Sequence, residues 1–320
     1  MTETFESLRP LLFSIAYRML SSVSEADDVV QEAFLRYQRA LAGGVEIDSK
    51  KAYLSAVVTR LAIDQLRSAR MRRETYVGQW LPEPLVTDGE GSDPAALAEE
   101  SDSLSMAFLL LLERLSPVER AVFLLHDVFG YGYDEIAAIV GKSETNCRQL
   151  AARARRHVRA EKPRFDASRR ARDELAARFF AAVSHGDLDG LVEMLASDVV
   201  VYGDAGGKAP SWGRPIGGTD RVGRLLAGMG AQFDDLGVSL QLRQVNGQPG
   251  ALVLDPAGRL INVFVLEIVD GLVQTVRSVI NPEKLHHLGP VADARALVRE
   301  ARRREQPGGV NPPPDDSAGE

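Results

Sequence analysis

The feature that most constrains this chain is residues 115–159, a stretch that predicts three short helices joined by tight turns. Ser-Pro-Val-Glu at 116–119 combines a capping box with a proline at the first helical position, so a helix begins there. Two glycines then interrupt it. A second helix is expected from about Asp134 to Gly141, and Ser143 can cap a third. This arrangement predicts a helix-turn-helix.

The third of these helices has two chemically different faces. One face is apolar and carries Cys147 and Val158. Guanidinium and amide side chains on the opposite face are suited to base edges and phosphates of DNA. The five residues predicted to contact DNA are Thr145, Arg148, Gln149, Arg153 and Arg156. Taken alone, the stretch also fits an ordinary helical hairpin whose arginines are solvated.

Composition narrows the classes of protein to consider. The chain has 320 residues, 45% of them hydrophobic, which is enough for two or three globular domains. No apolar run reaches the roughly 18 residues of a membrane span, and no signal peptide is recognisable, so we expect a cytoplasmic protein that does not contact membranes. The single cysteine, Cys147, and five histidines have no metal-binding spacing. No metal or cofactor is predicted.

The charge is unevenly distributed along the chain. The formal net charge is −7, yet residues 60–73 and 148–159 are basic, whereas 88–102 are acidic. A chain with a negative net charge does not present a uniformly basic surface to nucleic acid. Any contact with DNA is therefore expected to be local.

Residues 1–75 predict a first all-helical domain. Apolar residues at helical spacing indicate helices over 5–20, from Ser24 onward, and over 50–70. The second helix has a polar, acidic face that carries Asp28, Gln31 and Glu32. The third helix has a basic face that continues past its end and carries Arg60, Arg67, Arg70, Arg72 and Arg73.

Two blocks of the sequence resemble one known family. SSVSEADDVVQEAFLRYQRAL with KAYLSAVVTRLAIDQLRSARMRRE is similar to the promoter-melting domain of bacterial sigma factors of the extracytoplasmic-function (ECF) type. LERLSPVERAVFLLHDVFGYGYDEIAAIVGKSETNCRQLAARARRHVR, within a domain over 104–162, is similar to their promoter-upstream domain. The resemblance implies that the acidic face contacts the large subunits of the RNA polymerase core. It also implies that the basic face grips the −10 element and that the helix-turn-helix reads the −35 element. Any one of these residues also fits a solvated surface.

Residues 76–103 predict a linker between the two helical domains, because they are rich in proline, glycine and acidic residues. The exception is the hexapeptide WLPEPL at 80–85. Its tryptophan and leucines need a surface to bury against. We therefore expect Trp80, Leu81 and Pro82 to pack on another domain.

After the helix-turn-helix, the pattern changes to that of an α+β domain over 168–288. Helices over 173–184 and 188–195 and a short strand precede four strand-like runs between 238 and 280, with hairpin turns such as Asn246-Gly247. A curved antiparallel sheet wrapped on helices is expected. FFAAVSHGDLDGLVEMLASDVVVYGDAGGK resembles the start of SnoaL-like cone domains. Residues 289–320 predict a basic helix and a disordered tail.

Three motifs resemble those of the SigJ-like subgroup of ECF sigma factors, which carries a fused SnoaL-like extension. They are WLPEPL, the loop at 204–208, in which Ala205 replaces the usual first glycine, and Asn-Pro-Glu-Lys-Leu at 281–285. If the extension packs on both helical domains through these motifs, it regulates the sigma factor in cis. The residues expected at this contact are Trp80, Leu81, Pro82, Asp204, Lys208, Asn281, Pro282 and Leu285.

Other functions stay open for the extension. Some cones use an inward-facing acid or histidine as a general base, but no acid–base pair is evident here, and a fold does not carry chemistry with it. The candidates are His185, Asp204, Asp220 and Glu267, although Asp204 is also placed to bond backbone groups or Lys208. The alternatives are a SnoaL-like enzyme fused to a DNA-binding module and a ligand-sensing helix-turn-helix repressor.

The prediction from sequence is a non-enzymatic sigma factor. Its expected partners are the RNA polymerase core, promoter DNA and, in the cone, a small-molecule ligand. The sequence does not decide whether a separate anti-sigma partner exists.

Overall fold

The computed structural model describes residues 5–74, 76–88, 103–159, 168–210 and 212–305, without the side chains of 69–74, 159, 234–235 and 300–305. Within this part of the chain, none of the helices combines the length and the apolar character that a membrane span requires. Three sets of predictions lie outside the described residues: the middle of the linker, the tail from 306 onward, and the side chains of Arg70, Arg72 and Arg73.

The first helical unit, residues 5–74, contains three helices: α1 (Phe5–Leu20), α2 (Val23–Ala42) and α3 (Lys50–Glu74). Helix α2 begins slightly earlier than predicted. Ser22, rather than Ser24, is its N-cap, because the Ser22 hydroxyl accepts a hydrogen bond from the Glu25 amide at 3.1 Å.

The second helical unit, residues 103–159, confirms the predicted helix-turn-helix. Its helices are α4 (Met106–Leu112), α5 (Pro117–Phe123) with a π-helical continuation (Leu124–Val128), α6 (Tyr133–Val140) and α7 (Glu144–Arg159). The capping box forms, since the Ser116 hydroxyl accepts from the Glu119 amide and the Glu119 carboxylate accepts from the Ser116 amide. Gly141 ends α6 in the left-handed conformation, with φ of 65°.

The two helical units share one hydrophobic core rather than forming separate ones. Leu12 and Val58 of the first unit belong to the same buried cluster as Leu109 and Ile136 of the second. Arg120, which is 2% exposed, donates from the second unit to the Met19 carbonyl at 2.6 Å. Burial lowers the pKa of Arg120. The two units are therefore joined by apolar packing and by buried polar bonds.

The extension, residues 168–305, has the predicted α+β architecture. Its helices are α8 (Arg169–Ser184), α9 (Leu188–Met194), α10 (Thr219–Gly230), α11 (Phe233–Leu236) and α12 (Ala294–Glu305). Its strands are β1 (Leu195–Asp204), β2 (Ile216–Gly217), β3 (Ser239–Val245), β4 (Gln248–Leu254), β5 (Leu260–Val269) and β6 (Leu272–Val279). Helices α10 and α11 were not predicted from the glycine-rich segment that contains them.

The six strands form one sheet in the order β2-β1-β6-β5-β4-β3. The sheet is antiparallel as predicted, except that β1 and β6 run parallel. The Asn246-Gly247 turn has positive φ at both residues, 53° and 67°, as a two-residue hairpin of this type requires.

Both faces of the sheet are covered along β5. Phe264 and Leu266 on one face of β5 pack against the helices of the extension. Val263 and Val265 on the opposite face join a cluster with Leu81 of the linker and with α4. This explains why β5 is an almost continuous apolar run, and it fixes the extension to the linker and the second helical unit.

Candidate DNA, polymerase and interdomain sites

The predicted DNA-reading face lies on the solvent side of α7. All five residues proposed there are exposed, whereas Cys147 on the opposite face is fully buried. Arg148 pairs with Glu144 at 2.9 Å and Arg153 with Glu119 at 3.2 Å. Both arginine side chains are more than half exposed, so their guanidinium groups are accessible to DNA phosphates.

Glu119 links the start of α5 to this face. Its burial favours the neutral acid, but hydrogen bonds from Ser116 and the nearby Arg153 guanidinium outweigh that effect and hold its pKa below the ordinary value. The carboxylate is therefore charged at neutral pH and orients Arg153 along α7.

The predicted −10 face on α3 is partly engaged within the chain. Arg60 donates to the Ile139 carbonyl and to the Ala138 carbonyl, each at 2.8 Å. These are carbonyls of the last turn of α6, which have few partners within their own helix. Arg60 thus ties the first helical unit to the second, while Arg67 is exposed and pairs with Asp64 at 3.2 Å.

The predicted polymerase-binding face on α2 is accessible. Asp28 and Gln31 are exposed. Glu32 accepts a hydrogen bond from Arg36 at 2.7 Å, and this bond lowers the pKa of Glu32. The face therefore presents negative charge and an amide to a partner.

The contact predicted between the linker and the extension is centred on Asp204, the last residue of β1. Its side chain is fully buried and accepts four hydrogen bonds. Two donors belong to the linker, Tyr76 hydroxyl at 2.5 Å and Leu81 amide at 2.8 Å. The others are the Lys284 ammonium at 2.7 Å and the Gly206 amide at 3.1 Å. One carboxylate therefore joins the linker to two motifs of the extension.

Lys284 completes this junction. Its ammonium also donates to the Leu81 carbonyl, and it lies over the rings of Trp80, at 4.3 Å, and Tyr76, at 5.0 Å. Burial and the hydrogen bond to Asp204 both raise the pKa of Tyr76, so its hydroxyl stays protonated and donates. Neither Tyr76 nor Lys284 was predicted from sequence, although each adjoins or lies within a motif that was.

The other predicted members of the junction have distinct places. The Asn281 amide donates to the Tyr76 hydroxyl at 2.9 Å. Leu285 is fully buried in the cluster that contains Leu81. Pro282 begins the short helix that follows Asn281, and Pro82 is buried in the linker. Lys208 does not meet Asp204, as one alternative had it; its exposed ammonium pairs instead with Glu283.

The loop after Asp204 tolerates Ala205 because that residue has no positive φ. The left-handed positions are Gly206 and Gly207, with φ of 56° and 70°. A Cβ on Gly206 would lie 2.3 Å from the Asn281 side-chain nitrogen and 3.0 Å from the Tyr76 hydroxyl. Gly206 is therefore required both by its backbone conformation and by the close approach of the linker.

Glu83, within the WLPEPL segment, caps α2, the helix that carries the predicted polymerase-binding face. Its carboxylate accepts from the amides of Val23, at 2.8 Å, and Ser24, at 3.1 Å, and from the Ser22 hydroxyl at 2.8 Å. The Glu83 amide donates to the Ser21 carbonyl at 3.0 Å. A negative charge at a helix N-terminus is favourable, so the linker is fastened to α2 as well as to Asp204.

The β3–β4 turn makes a second contact between the extension and the helical units. Asn246 is fully buried, and its side chain bonds the Tyr17 hydroxyl at 2.6 Å, the Leu104 carbonyl at 3.1 Å and the Leu85 amide at 3.0 Å. Val86 pairs with the end of β3 as an isolated antiparallel bridge. Sequence reasoning identified this turn as a hairpin but not as a contact.

The residues considered as general bases all have other partners. Glu267 pairs with Arg277 at 2.8 Å, Asp220 pairs with Arg224 at the surface, and His185 bonds the Ala181 carbonyl at 2.7 Å. Asp204 forms the junction described above. Among the described residues, no group of three or more histidine, cysteine or acidic side chains is arranged to hold a metal ion.

Comparison with protein families matches three parts of the chain. Residues 4–72 match Sigma-70 region 2, residues 105–158 match Sigma-70 region 4, and residues 176–275 match a SnoaL-like domain. The first two matches cover the first and second helical units, and the third covers most of the extension.

Relatives match nearly the whole chain. It is 38% identical to the ECF RNA polymerase sigma factor SigJ of Mycobacterium tuberculosis, over 91% of this chain and 95% of that protein. It is 34% identical to the probable ECF RNA polymerase sigma factor SigI of the same species, over 88% and 93% of the two chains. The crystal structure of SigJ from that species aligns with a TM-score of 0.70 at 36% identity, covering 90% of this chain and 99% of that one. This chain therefore belongs to the ECF RNA polymerase sigma factors, and it is a SigJ-like member with a SnoaL-like extension.

Proposed function

We propose that this chain binds the RNA polymerase core and promoter DNA, and that the arrangement described above is its closed, inactive state. In the active state, Asp28, Gln31 and Glu32 of α2 contact polymerase. The basic face of α3 binds the −10 element, and the exposed face of α7 reads the −35 element. The SnoaL-like extension regulates these contacts in cis by holding the linker.

The observation that carries the proposal is the core shared by the two helical units. The −35 and −10 elements are about 25 base pairs apart, which corresponds to roughly 80 Å of B-form DNA. A compact unit of about 130 residues has a radius of gyration of only about 14 Å. Units that pack on each other through Arg60 and Arg120 cannot reach both elements, so they must separate before the promoter is bound.

The linker is the element that couples this separation to the extension. Its described polar groups bond Asp204 and Asn246 of the extension and, through Glu83, the N-terminus of α2. The same linker must extend when the two units move apart. Releasing it from the Asp204 junction would therefore favour opening.

Run-off transcription with purified bacterial core polymerase, on DNA from upstream of the chain's own coding sequence, tests both parts of the proposal. We expect transcript from the full chain and more transcript from Trp80→Ala, because that variant loses the ring that covers Lys284. Leu272→Ala, which changes a surface leucine of β6 that is 37% exposed, is the matched control and should behave as the unaltered chain.

The two parts fail in different ways. No transcript from any version, together with tight binding of the chain alone to duplex DNA, would favour the repressor alternative. Equal or lower transcript from Trp80→Ala would contradict an inhibitory junction while leaving the sigma-factor activity intact.

A further inference from the structure

An apolar cavity of about 150 Å³ lies between the cone of the extension and the C-terminal helix α12. Its walls come from the end of α10, from α11, from the inner face of the sheet and from the first turns of α12. Six of the lining residues are Met229, Phe233, Ile261, Phe264, Leu297 and Val298. Because these walls contain few polar groups, the binding free energy of a ligand would come mainly from removing its apolar surface from water.

Helix α12 covers the cavity as a lid. It lies outside the SnoaL-like match, which ends at residue 275. The lid is anchored beside the start of β5. The Leu260 amide donates to the Pro290 carbonyl at 2.8 Å, and the Ala292 amide donates to the Leu260 carbonyl at 2.8 Å. The Asp293 carboxylate then accepts from the Ala296 amide at 3.0 Å, as an N-cap does.

Two polar side chains, Gln232 and Asn262, lie in the wall of the cavity. Asn262 is 3% exposed, and its amide exchanges hydrogen bonds with the Ser278 hydroxyl at 2.9 and 3.1 Å. A carboxamide can donate two hydrogen bonds and accept two, and a single hydroxyl satisfies only part of that capacity. Asn262 can therefore bond one polar group of a molecule in the cavity.

We propose that this cavity binds a small, mostly apolar molecule of about the size of benzene to indole, with one hydroxyl or N–H group directed at Asn262. The volume sets the size, because an apolar cavity of about 150 Å³ accommodates a molecule of about the size of benzene. The lining sets the chemistry, since none of the lining residues that the structure describes carries a charge to pair with a charged ligand.

The lid connects this site to the interdomain junction. Arg295, in the first turn of α12, donates to the Gly207 carbonyl at 2.7 Å. Gly207 belongs to the loop that begins at Asp204. A molecule bound in the cavity contacts α12 and therefore stabilises the docked position of α12. Through Arg295 it also stabilises the loop that holds the linker. Occupancy should therefore favour the closed state and lower transcription; this second step rests on the proposed function.

The site is tested by NMR on the full chain, in which the methyl groups of isoleucine, leucine and valine are isotopically labelled. Indole and toluene are titrated in separate experiments. We expect saturable shifts of the Ile261 and Leu297 methyl signals below the solubility limit of each probe. Val298→Trp should weaken binding by about tenfold or more, because the larger side chain fills the cavity from a position that is 36% exposed. The matched control is Val192→Trp, which enlarges a 40% exposed valine elsewhere in the extension and should leave binding unchanged.

Asn262→Leu examines the polar wall. Binding of indole should weaken while binding of toluene persists, since only indole has an N–H group to bond. Absence of saturable shifts with both probes, or equal binding by Val298→Trp and the unaltered chain, would overturn the site.

Run-off transcription with saturating indole examines the regulatory step separately. A fall in transcript that Arg295→Ala abolishes supports the connection through Gly207. Unchanged transcript, while indole still shifts the methyl signals, would overturn the regulatory step and leave the binding site in place.

Discussion

Helix α7 and the junction around Asp204 use charged side chains in opposite ways. On α7, Arg148 and Arg153 are more than half exposed and pair with nearby carboxylates. They can exchange these carboxylates for the phosphates of DNA. At the junction, the Asp204 carboxylate is fully buried and accepts four hydrogen bonds from within the chain. The first arrangement is suited to an external partner, whereas the second is satisfied internally and holds the domains in one geometry.

The largest effect should come from removing the junction's carboxylate. Asp204→Ala removes the buried carboxylate that pairs with the Lys284 ammonium, and breaking a buried pair in this way costs about 3–5 kcal/mol. We expect faster proteolysis of the linker and more transcript. Asp220→Ala, which removes an exposed partner of Arg224, is the control. If both variants behave alike, the junction does not hold the linker.

A smaller effect should follow from adding one methyl group at Gly206. Gly206→Ala places a Cβ against Asn281 and Tyr76 and strains a residue with φ of 56°, for which a cost of about 1–3 kcal/mol is expected. The urea concentration at which half of the linker is cleaved by a protease should fall. Gly213→Ala, where nothing lies within 4 Å of the added Cβ, should leave it in place.

The DNA-reading face should respond in binding specificity rather than in folding. Arg148→Ala and Gln149→Ala should each lose about 1–3 kcal/mol of discrimination at one −35 position, because both side chains are proposed to contact base edges. Arg156→Ala should instead reduce the salt dependence of holoenzyme binding. Arg170→Ala, on the exposed side of α8, is the control. Unaltered selection of −35 sequences by both base-edge variants would contradict the assignment of α7.

The smallest effect should come from Lys208, which lies at the rim of the junction. Its pair with Glu283 is exposed on both sides, and such pairs contribute at most about 1 kcal/mol. Lys208→Ala should therefore leave linker proteolysis and transcription almost unchanged. A change as large as that of Asp204→Ala would mean that the rim, rather than the buried carboxylate, controls the linker.

Much of the fold was predictable because its signals are local. The capping box at Ser116, the turn at Gly141 and the alternation of faces on α7 all depend on residues within one or two turns of helix. The meander was predictable from its hairpin turns. Helix α10 was missed because glycines at 223, 228 and 230 weaken the helical signal, and α11 was missed because its four residues are too few to show a helical period.

The junction was predictable only in outline. The three motifs indicated that the linker meets the extension, but the partners of Asp204 lie far away in the chain: Tyr76 precedes it by 128 positions and Lys284 follows it by 80. No periodicity relates residues at such separations. Local patterns likewise gave no reason to expect that Arg60 bonds the carbonyls of α6 in this arrangement, or that Asn246 bonds Tyr17.

The two helical units are packed together in the free chain, and we expect them to separate on the promoter. Spin labels on Glu6→Cys and Asp134→Cys, both exposed positions outside the proposed binding faces, would report the distance between the units. The native Cys147 is fully buried, and burial raises the pKa of its thiol, so it should not take up label. We predict one short distance in the free chain and a distance longer by several tens of ångströms in the complex with core polymerase and promoter. The same short distance in a complex that is making transcript would contradict the account.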